Sequence, residues 1–570
     1  MRLVNVAKKG ELGVEDPVED YYDLGSYHRP VSTTSPEAQR WFDRGLIWCY
    51  GFNHEEAVKC FKRVTEIDPD CAMAYWGIAY ACGPNYNKPW EAFSEADLTQ
   101  SLDQAYAATQ MALARLDGAS ETEQALIRTL THRYPSPTPA GDWHIWNDAY
   151  ASAMREVYRA FPEDLDVCSL FAEAMMNRTA WALWNLKTGE PAEGADTAEA
   201  TEVLEKAMSQ RQQAGDERHP GLLHMYIHLM EMSPHPERAL RAADALRDAV
   251  PDAGHLQHMP THIDVLCGHY QTVVTSNARA IAADRKYLER EGPINFYSLY
   301  RCHNYHFKLY GAMFLGQYQP ALEAANGIIA TLPEALLQVE VPPMADWLEG
   351  FVPMVQHVWI RFGKWQEIIA QSLPANPALF CVTTTMIHYA KAIAYATTGD
   401  MAAAEAERLR FEAAVPHVPG TRYVFNNTCL DILAVAAEMM EGELAYRKGN
   451  FDDAFAHLRK SVELDDNLPY DEPWAWMQPT RHALGALLLE QDRVEEAEAV
   501  YRADLGLDDT LSRACQHPDN VWSLHGLHEC LLRLHKTDEA RMIKLRLDLA
   551  TARADVPIQS SCYCRLTHAA

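Results

Sequence analysis

The sequence predicts an all-α protein: a solenoid of helical hairpins curled into a closed or strongly curved superhelix. Strand-like alternation of apolar and polar residues is scarce along the 570 residues, and runs rich in Ala, Leu and Glu dominate. One set of small, aromatic and proline residues recurs at fixed offsets, the mark of stacked helical hairpins. A chain of this length built from such hairpins curves back on itself.

Taken in order, residues 1–34 are polar, lack a helical pattern and predict an extended arm. Residues 35–215 predict N-terminal helical repeats, 216–330 a histidine-rich set, 331–550 C-terminal repeats, and 551–570 a tail. In WFDRGLIWCYGFNHEEAVKCFKRVTEIDP (41–69), Trp41, Gly45, Ala57, Phe61 and Pro69 stand at the offsets of a 34-residue helix–turn–helix unit. The small residues let two antiparallel helices approach, the aromatic fills the gap and the proline ends the second helix. Gly442, Gly449 and Ala454 repeat the pattern, as do Leu484, Gly485, Ala497, Tyr501 and Leu505. Weaker copies start near Tyr305, His388 and Trp522. These offsets resemble the tetratricopeptide repeat superfamily, which implies a solenoid and, at its simplest, a scaffold with a peptide or protein partner in its groove. The Pro-rich segments 134–142 and 187–197 are long for a minimal repeat protein, and long loops often cover a site.

Composition narrows the function. Lys plus Arg is 50 against 79 Asp plus Glu, a net charge of −29. Phosphate contacts need a basic footprint, so nucleic acid is excluded as a partner, and so is docking on an anionic membrane. No apolar run reaches bilayer length, and MRLVNVAKKGELGVEDPVEDYY has no leader-like core. The thirteen cysteines, odd in number and thinly spread, suit a reducing cytoplasm. Ten of the 24 histidines fall between 219 and 306, which marks where chemistry is to be sought.

Three segments carry them. In His219-Pro-Gly-Leu-Leu-His224-Met-Tyr-Ile-His228-Leu-Met-Glu231, the offsets +4 and +7 put His224, His228 and Glu231 on one helical stripe flanked by apolar residues. Pro220 suits a first helical turn. This is metal-ligand spacing without the glutamate of a zincin, since Met225 stands in its place. In His255-Leu-Gln-His258-Met-Pro-Thr-His262, Pro260 either kinks one helix through all three histidines or opens a new helix, leaving His255 and His258 on the approach. His303 and His306, three apart, again share a face. The segments lie about one repeat apart, so stacking brings the stripes to one wall. The expectation is that His224, His228, His258 and His262 converge on one metal ion, with Glu231, His255, His303 and His306 as further ligands or supports.

The stretches HPGLLHMYIHLME, AGHLQHMPTHI and HNYHF, with GFNHEEA, DCAMAYWGIAYACGPNYN, DEPWAW and SCYCR, resemble a large family of bacterial and fungal repeat proteins over nearly the whole chain. The resemblance supports the histidine motifs and names no reaction. Asp264 departs from it and reads as a support for His262 or a solvated carboxylate.

The donor set is nearly all imidazole. That disfavours magnesium and calcium and favours copper over zinc or iron, with room for two ions. A metal-dependent oxidoreductase acting on a small-molecule substrate follows, with Glu231, Tyr226 and Glu173 as catalytic candidates. A zinc hydrolase or lyase and a non-catalytic interaction scaffold are the alternatives. His54 reads as a turn residue or as a group across the opening of the site, and Trp76, Tyr86 and Trp90 as core or as pocket wall. Cys562 and Cys564 form a C-x-C pair on a tail that is either loose or folded back towards the groove.

Overall fold

The computed structural model describes residues 21–139, 141–213 and 218–566. Successive antiparallel helices build it. Pro36–Tyr50 pairs with His54–Ile67, Ser298–Phe314 with Tyr318–Thr331, and Cys381–Thr398 with Met401–Ala414. Cys429–Arg447 pairs with Phe451–Asp466, Thr480–Glu490 with Val494–Asp504, and Val521–Arg533 with Thr537–Thr551. These are the hairpins that the repeat offsets predict. Strand among the described residues is confined to the two-residue pair Tyr423–Val424 and Asn427–Thr428, apart from isolated bridges.

The first hairpin shows why the pattern folds this way. Ser35 caps Pro36–Tyr50 by accepting from the Ala38 N–H at 3.2 Å, and Pro36 occupies the first turn, where no N–H is needed. Phe61 is fully buried between this helix and the next. A Cβ on Gly45 would stand 2.7 Å from the Phe61 ring, so the close approach depends on glycine there.

The solenoid closes on itself. Asp23 and Asp252 exchange hydrogen bonds of 2.8 and 2.9 Å, and Arg513 donates to the Leu266 carbonyl at 2.5 Å. The Trp522 indole donates to the Met313 carbonyl at 2.7 Å. Two apolar cores result, one running from Tyr22 to Tyr300 and one from Met232 to Cys564. They meet at the histidine segments.

Of the predicted arm, residues 1–20 lie outside the described residues. Residues 21–34 run without helix, and Tyr27 and Arg29 bind Asp166 at 2.5 and 2.6 Å. The C-terminal tail folds back, but not onto the histidines. Ser561 accepts from Arg361 and bonds Tyr501, Arg565 pairs with Glu529, and Cys562 and Cys564 form a disulfide. No helix among the described residues is long and apolar enough to cross a membrane.

Phe61→Ala is expected to lower unfolding stability by about 3–5 kcal/mol, because the cavity lies between two helices held apart by their own backbones. Urea unfolding followed by circular dichroism measures it.

Candidate metal centre

Each histidine stripe sits on a largely buried helix, short for the first two segments. His219 caps Pro220–Glu231, its Nδ1 accepting from the Leu222 N–H at 3.2 Å, and Pro220 fills the first turn. Pro260 opens a helix of its own, Pro260–Leu266. His255 and His258 stand on the separate helix Gly254–His258, so of the two readings of Pro260 the helix-opening one applies, with the pair on a helix rather than a loop. That helix packs so close to Asp284 that a Cβ on Gly254 would meet Asp284 Oδ1 at 1.9 Å. His303 and His306 ride on Ser298–Phe314.

The donors form two adjoining histidine triads, with a third group, His228, Glu231, His262 and Glu472, bridging them. Donor nitrogens of His224, His228 and His255 lie within 4.8 Å of one another, and so do those of His258, His262 and His303. The triads touch through His228 and His262, rings 5.6 Å apart, and through His255 and His258, 5.8 Å apart. All six are buried.

Four of the six are oriented through Nδ1. His224 donates to the Tyr50 carbonyl at 2.5 Å. His258 faces Asn277 Oδ1 at 2.7 Å, and the Asn277 amide is itself fixed by donating to Thr261 Oγ1 and the Val273 carbonyl. His228 donates to Glu231 Oε1 at 2.8 Å and His262 to Glu231 Oε2 at 2.6 Å. One carboxylate therefore holds one histidine from each triad. The Tyr50 carbonyl and Asn277 Oδ1 assign the proton of His224 and His258 to Nδ1; for His228 and His262 an ionised Glu231 does the same, leaving each Nε2 a bare lone pair.

The lone pairs then face one another. His258 Nε2 and His262 Nε2 are 2.7 Å apart, and His303 Nε2 is 3.3 Å from His262 Nε2. Two acceptors at that distance repel unless a cation lies between them. Ligand nitrogens on a tetrahedral metal stand roughly 3.3 Å apart. In addition, His224 Nε2, His228 Nε2, both nitrogens of His255 and His303 Nδ1 are buried with no hydrogen-bond partner. At about 1–3 kcal/mol for each such atom, the sum is on the order of the whole stability of a domain.

Charge points the same way. Burial, reinforced by neighbouring imidazoles, holds His228, His255, His258 and His303 well below the usual imidazole range. Burial takes His224 down to about 3. All five are neutral at pH 7, the form that ligates. Burial and the adjacent Glu472 charge push Glu231 well above the usual carboxylate range. Glu472 Oε2 lies 2.7 Å from His262 Nδ1, off the N–H direction that Glu231 takes. The ion-pair partners of the two glutamates among the described residues are His228 and His262, with no Lys or Arg beside the pair, so two charges there are costly and Glu231 is the one raised.

Other predicted residues fall elsewhere. His306 is buried, both nitrogens unpartnered, but points at Phe351 and lies outside the triads. Tyr226 is a correction: its hydroxyl donates to Glu205 at 2.6 Å, away from the histidines, because offset +2 from His224 turns it to another helical face. Glu173 is a second correction, since its carboxylate takes the Tyr80 hydroxyl, beside Arg133, and joins neither triad. Asp264 does not support His262; it pairs with Arg247 at 3.0 Å. Tyr86 packs on His228 at 4.9 Å, whereas Trp90 stacks on Trp143 and Trp76 on Tyr80 in the core. Sequence reasoning missed Glu472, Asn277 and Phe52. Glu472 had a signal, an acid in the DEPWAW stretch, but 210 residues separate it from His262. Of the two long loops, the one at 187–197 follows Trp181, which packs 6.0 Å from His228.

Residues 52–71 match the tetratricopeptide repeat model. No curated protein matches the chain. Among solved structures it is similar to the Cut9–Hcn1 hetero-tetramer of APC/C, with 14% identity over 91% of this chain and 88% of that chain, TM-score 0.29. It is also similar to yeast Tom70, with 12% identity over 87% and 96%, TM-score 0.27. The Naa15/Naa10 complex bound to HypK gives 15% identity over 91% and 71%, TM-score 0.21. The chain is related to the tetratricopeptide-repeat proteins. That relation rests on the matched repeat and the hairpin series, and it is a relation of fold.

Glu231→Gln is expected to weaken metal binding about 10–100-fold, as losing the support behind a ligating histidine does. Tyr226→Phe and the double change Cys562→Ser, Cys564→Ser should leave metal content unchanged. Competition with a calibrated chelator checks all three.

Proposed function

We propose that the two triads are a dinuclear transition-metal centre, copper favoured, and that the protein is a metal-dependent oxidoreductase acting on a small organic molecule. The observation that carries the reading is the approach of His258 Nε2 and His262 Nε2, 2.7 Å apart, with Nδ1 of each already on an oxygen, Asn277 Oδ1 and Glu231 Oε2. His224, His228 and His255 would hold one ion, and His258, His262 and His303 the other. Six imidazoles and no ligating thiolate suit copper. Bound there, paired copper ions supply one-electron and oxygen chemistry. The chain's own contribution is orientation through Tyr50, Asn277 and Glu231, and exclusion of water by Phe52, Tyr86 and Phe307, whose rings pack 4.5–4.9 Å from ring centroids of the cluster. Glu231 and Glu472 offset the added positive charge, and Glu231 can store a proton beside His262.

A second reading, an interaction scaffold whose histidines bind a stabilising ion or none, is favoured by the repeat at 52–71 and by the hairpin series.

Elemental analysis of natively purified protein separates the two. About two copper ions per chain are expected. His303→Ala should lose one of them, and His228→Ala should lose one and loosen the other through Glu231. Removing metal at a concentration about 1,000 times its dissociation constant should cost about 4 kcal/mol of stability. Metal near zero, with the same unfolding midpoint in chelator, would leave the scaffold reading; zinc in its place would redirect the chemistry to a metal-activated water.

A further inference from the structure

The turn between the first two helices leads from the metal centre to the surface. Phe52 is buried and packs on three histidines of the first triad: His224 at 4.5 Å, His255 at 5.7 Å and His228 at 5.8 Å. Its backbone sits at φ 55°, a left-handed conformation that a bulky side chain rarely adopts and that clusters at functional sites. The outer side of this turn lines a cleft of about 400 Å³, the size of a small-ligand site.

The chemistry of the cleft is specific. Phe93 and Phe296 give it aromatic walls, and Lys88 Nζ lies 4.0 Å from the Phe93 centroid and 4.8 Å from that of Phe296. Asp97 Oδ2 already holds that ammonium at 2.5 Å. Asn53 lines the cleft and is 2% exposed, its Oδ1 taking the Glu56 N–H and its side chain also interacting with the Tyr287 hydroxyl. His54 and Asn85 complete the rim, their polar atoms 3.5 Å apart. Lys59, Lys62 and Lys88 stand with Glu55 and Asp97 in the lining, and Lys59 is also paired with Glu56 and Glu291 outside it. The Gly83–Lys88 turn is thus two-sided: Tyr86 packs on His228, while Asn85 and Lys88 face the cleft.

We propose that this cleft binds an aromatic ring carrying an anionic oxygen, a carboxylate or phenolate, and that Phe52 is the wall between that molecule and the first triad. The ring stacks against Phe93 and Phe296, and the anion takes Lys88. The assignment of this molecule as substrate rests on the metal-centre reading; its binding does not.

Isothermal titration with benzoate tests the binding. Benzoate should bind saturably, and both benzamide, which lacks the charge, and cyclohexanecarboxylate, which lacks the ring, should bind at least about 5-fold more weakly. Lys88→Met should weaken benzoate about 10-fold. Asp97→Asn, which releases Lys88, should tighten it several-fold, and a general loss of folding cannot give these opposite signs. Absence of saturable benzoate binding, or the same affinity in both variants, overturns the proposal. Metal content measured on the same samples keeps the two readings apart, since benzoate binding without metal removes only the metal centre, and metal without benzoate binding removes only the cleft. In copper-loaded protein, Phe52→Ala should speed metal extraction by EDTA several-fold and bound benzoate should slow it; unchanged rates in both would remove Phe52 as the wall.

Discussion

The Glu231 carboxylate is the contact on which the site depends. Its two oxygens hold His228 and His262, one from each triad, at 2.8 and 2.6 Å. The lone pairs of both histidines are thereby aimed at their neighbours. A buried carboxylate with no Lys or Arg beside it is costly in its charged form unless something positive stands within reach, and Glu231 is accordingly held above the usual carboxylate range. The same carboxylate that orients the histidines thus creates the demand for the cation they would bind. Glu472 strengthens that demand, adding a second acid 2.7 Å from His262 Nδ1.

The solenoid supplies what a single hairpin cannot. Each histidine helix is short, five to twelve residues for the first two segments, and would not persist alone in water. Packing between the two cores fixes them, and closure brings Glu472 and Phe425 over from the C-terminal half, where Phe425 meets the His303 ring at 4.7 Å. Distant parts of the chain therefore converge on a cluster whose six histidines all lie within 80 positions of one another.

The N-terminal turn has two faces with different tasks. Inward, Phe52 and Tyr86 keep water from the imidazoles, and the Tyr50 carbonyl fixes the His224 tautomer. Outward, the same turns offer Lys88, Asn53 and two aromatic walls. A backbone strained at Phe52 is retained because burial on both sides over-determines it.

The sequence by itself determined the hairpins and the histidine region, because both are local. The repeat offsets specify which residues lie between paired helices, as Phe61 does against Gly45, and +3 and +4 spacings specify which histidines share a stripe. It also showed that Pro260 must either kink or open a helix, without deciding which. Tertiary structure alone decided how the stripes divide. A stripe gives a direction but not the rotation of one helix against another, so the expected four-histidine group became two triads, His255 and His303 joined them, and His306 turned towards Phe351. Tyr226 and Glu173 were placed by residue type and sequence neighbourhood, which do not report the facing helix. Glu472, Asn277 and Phe52 reach the cluster through contacts between helices and turns far apart in the chain, and no local period encodes a contact of that kind.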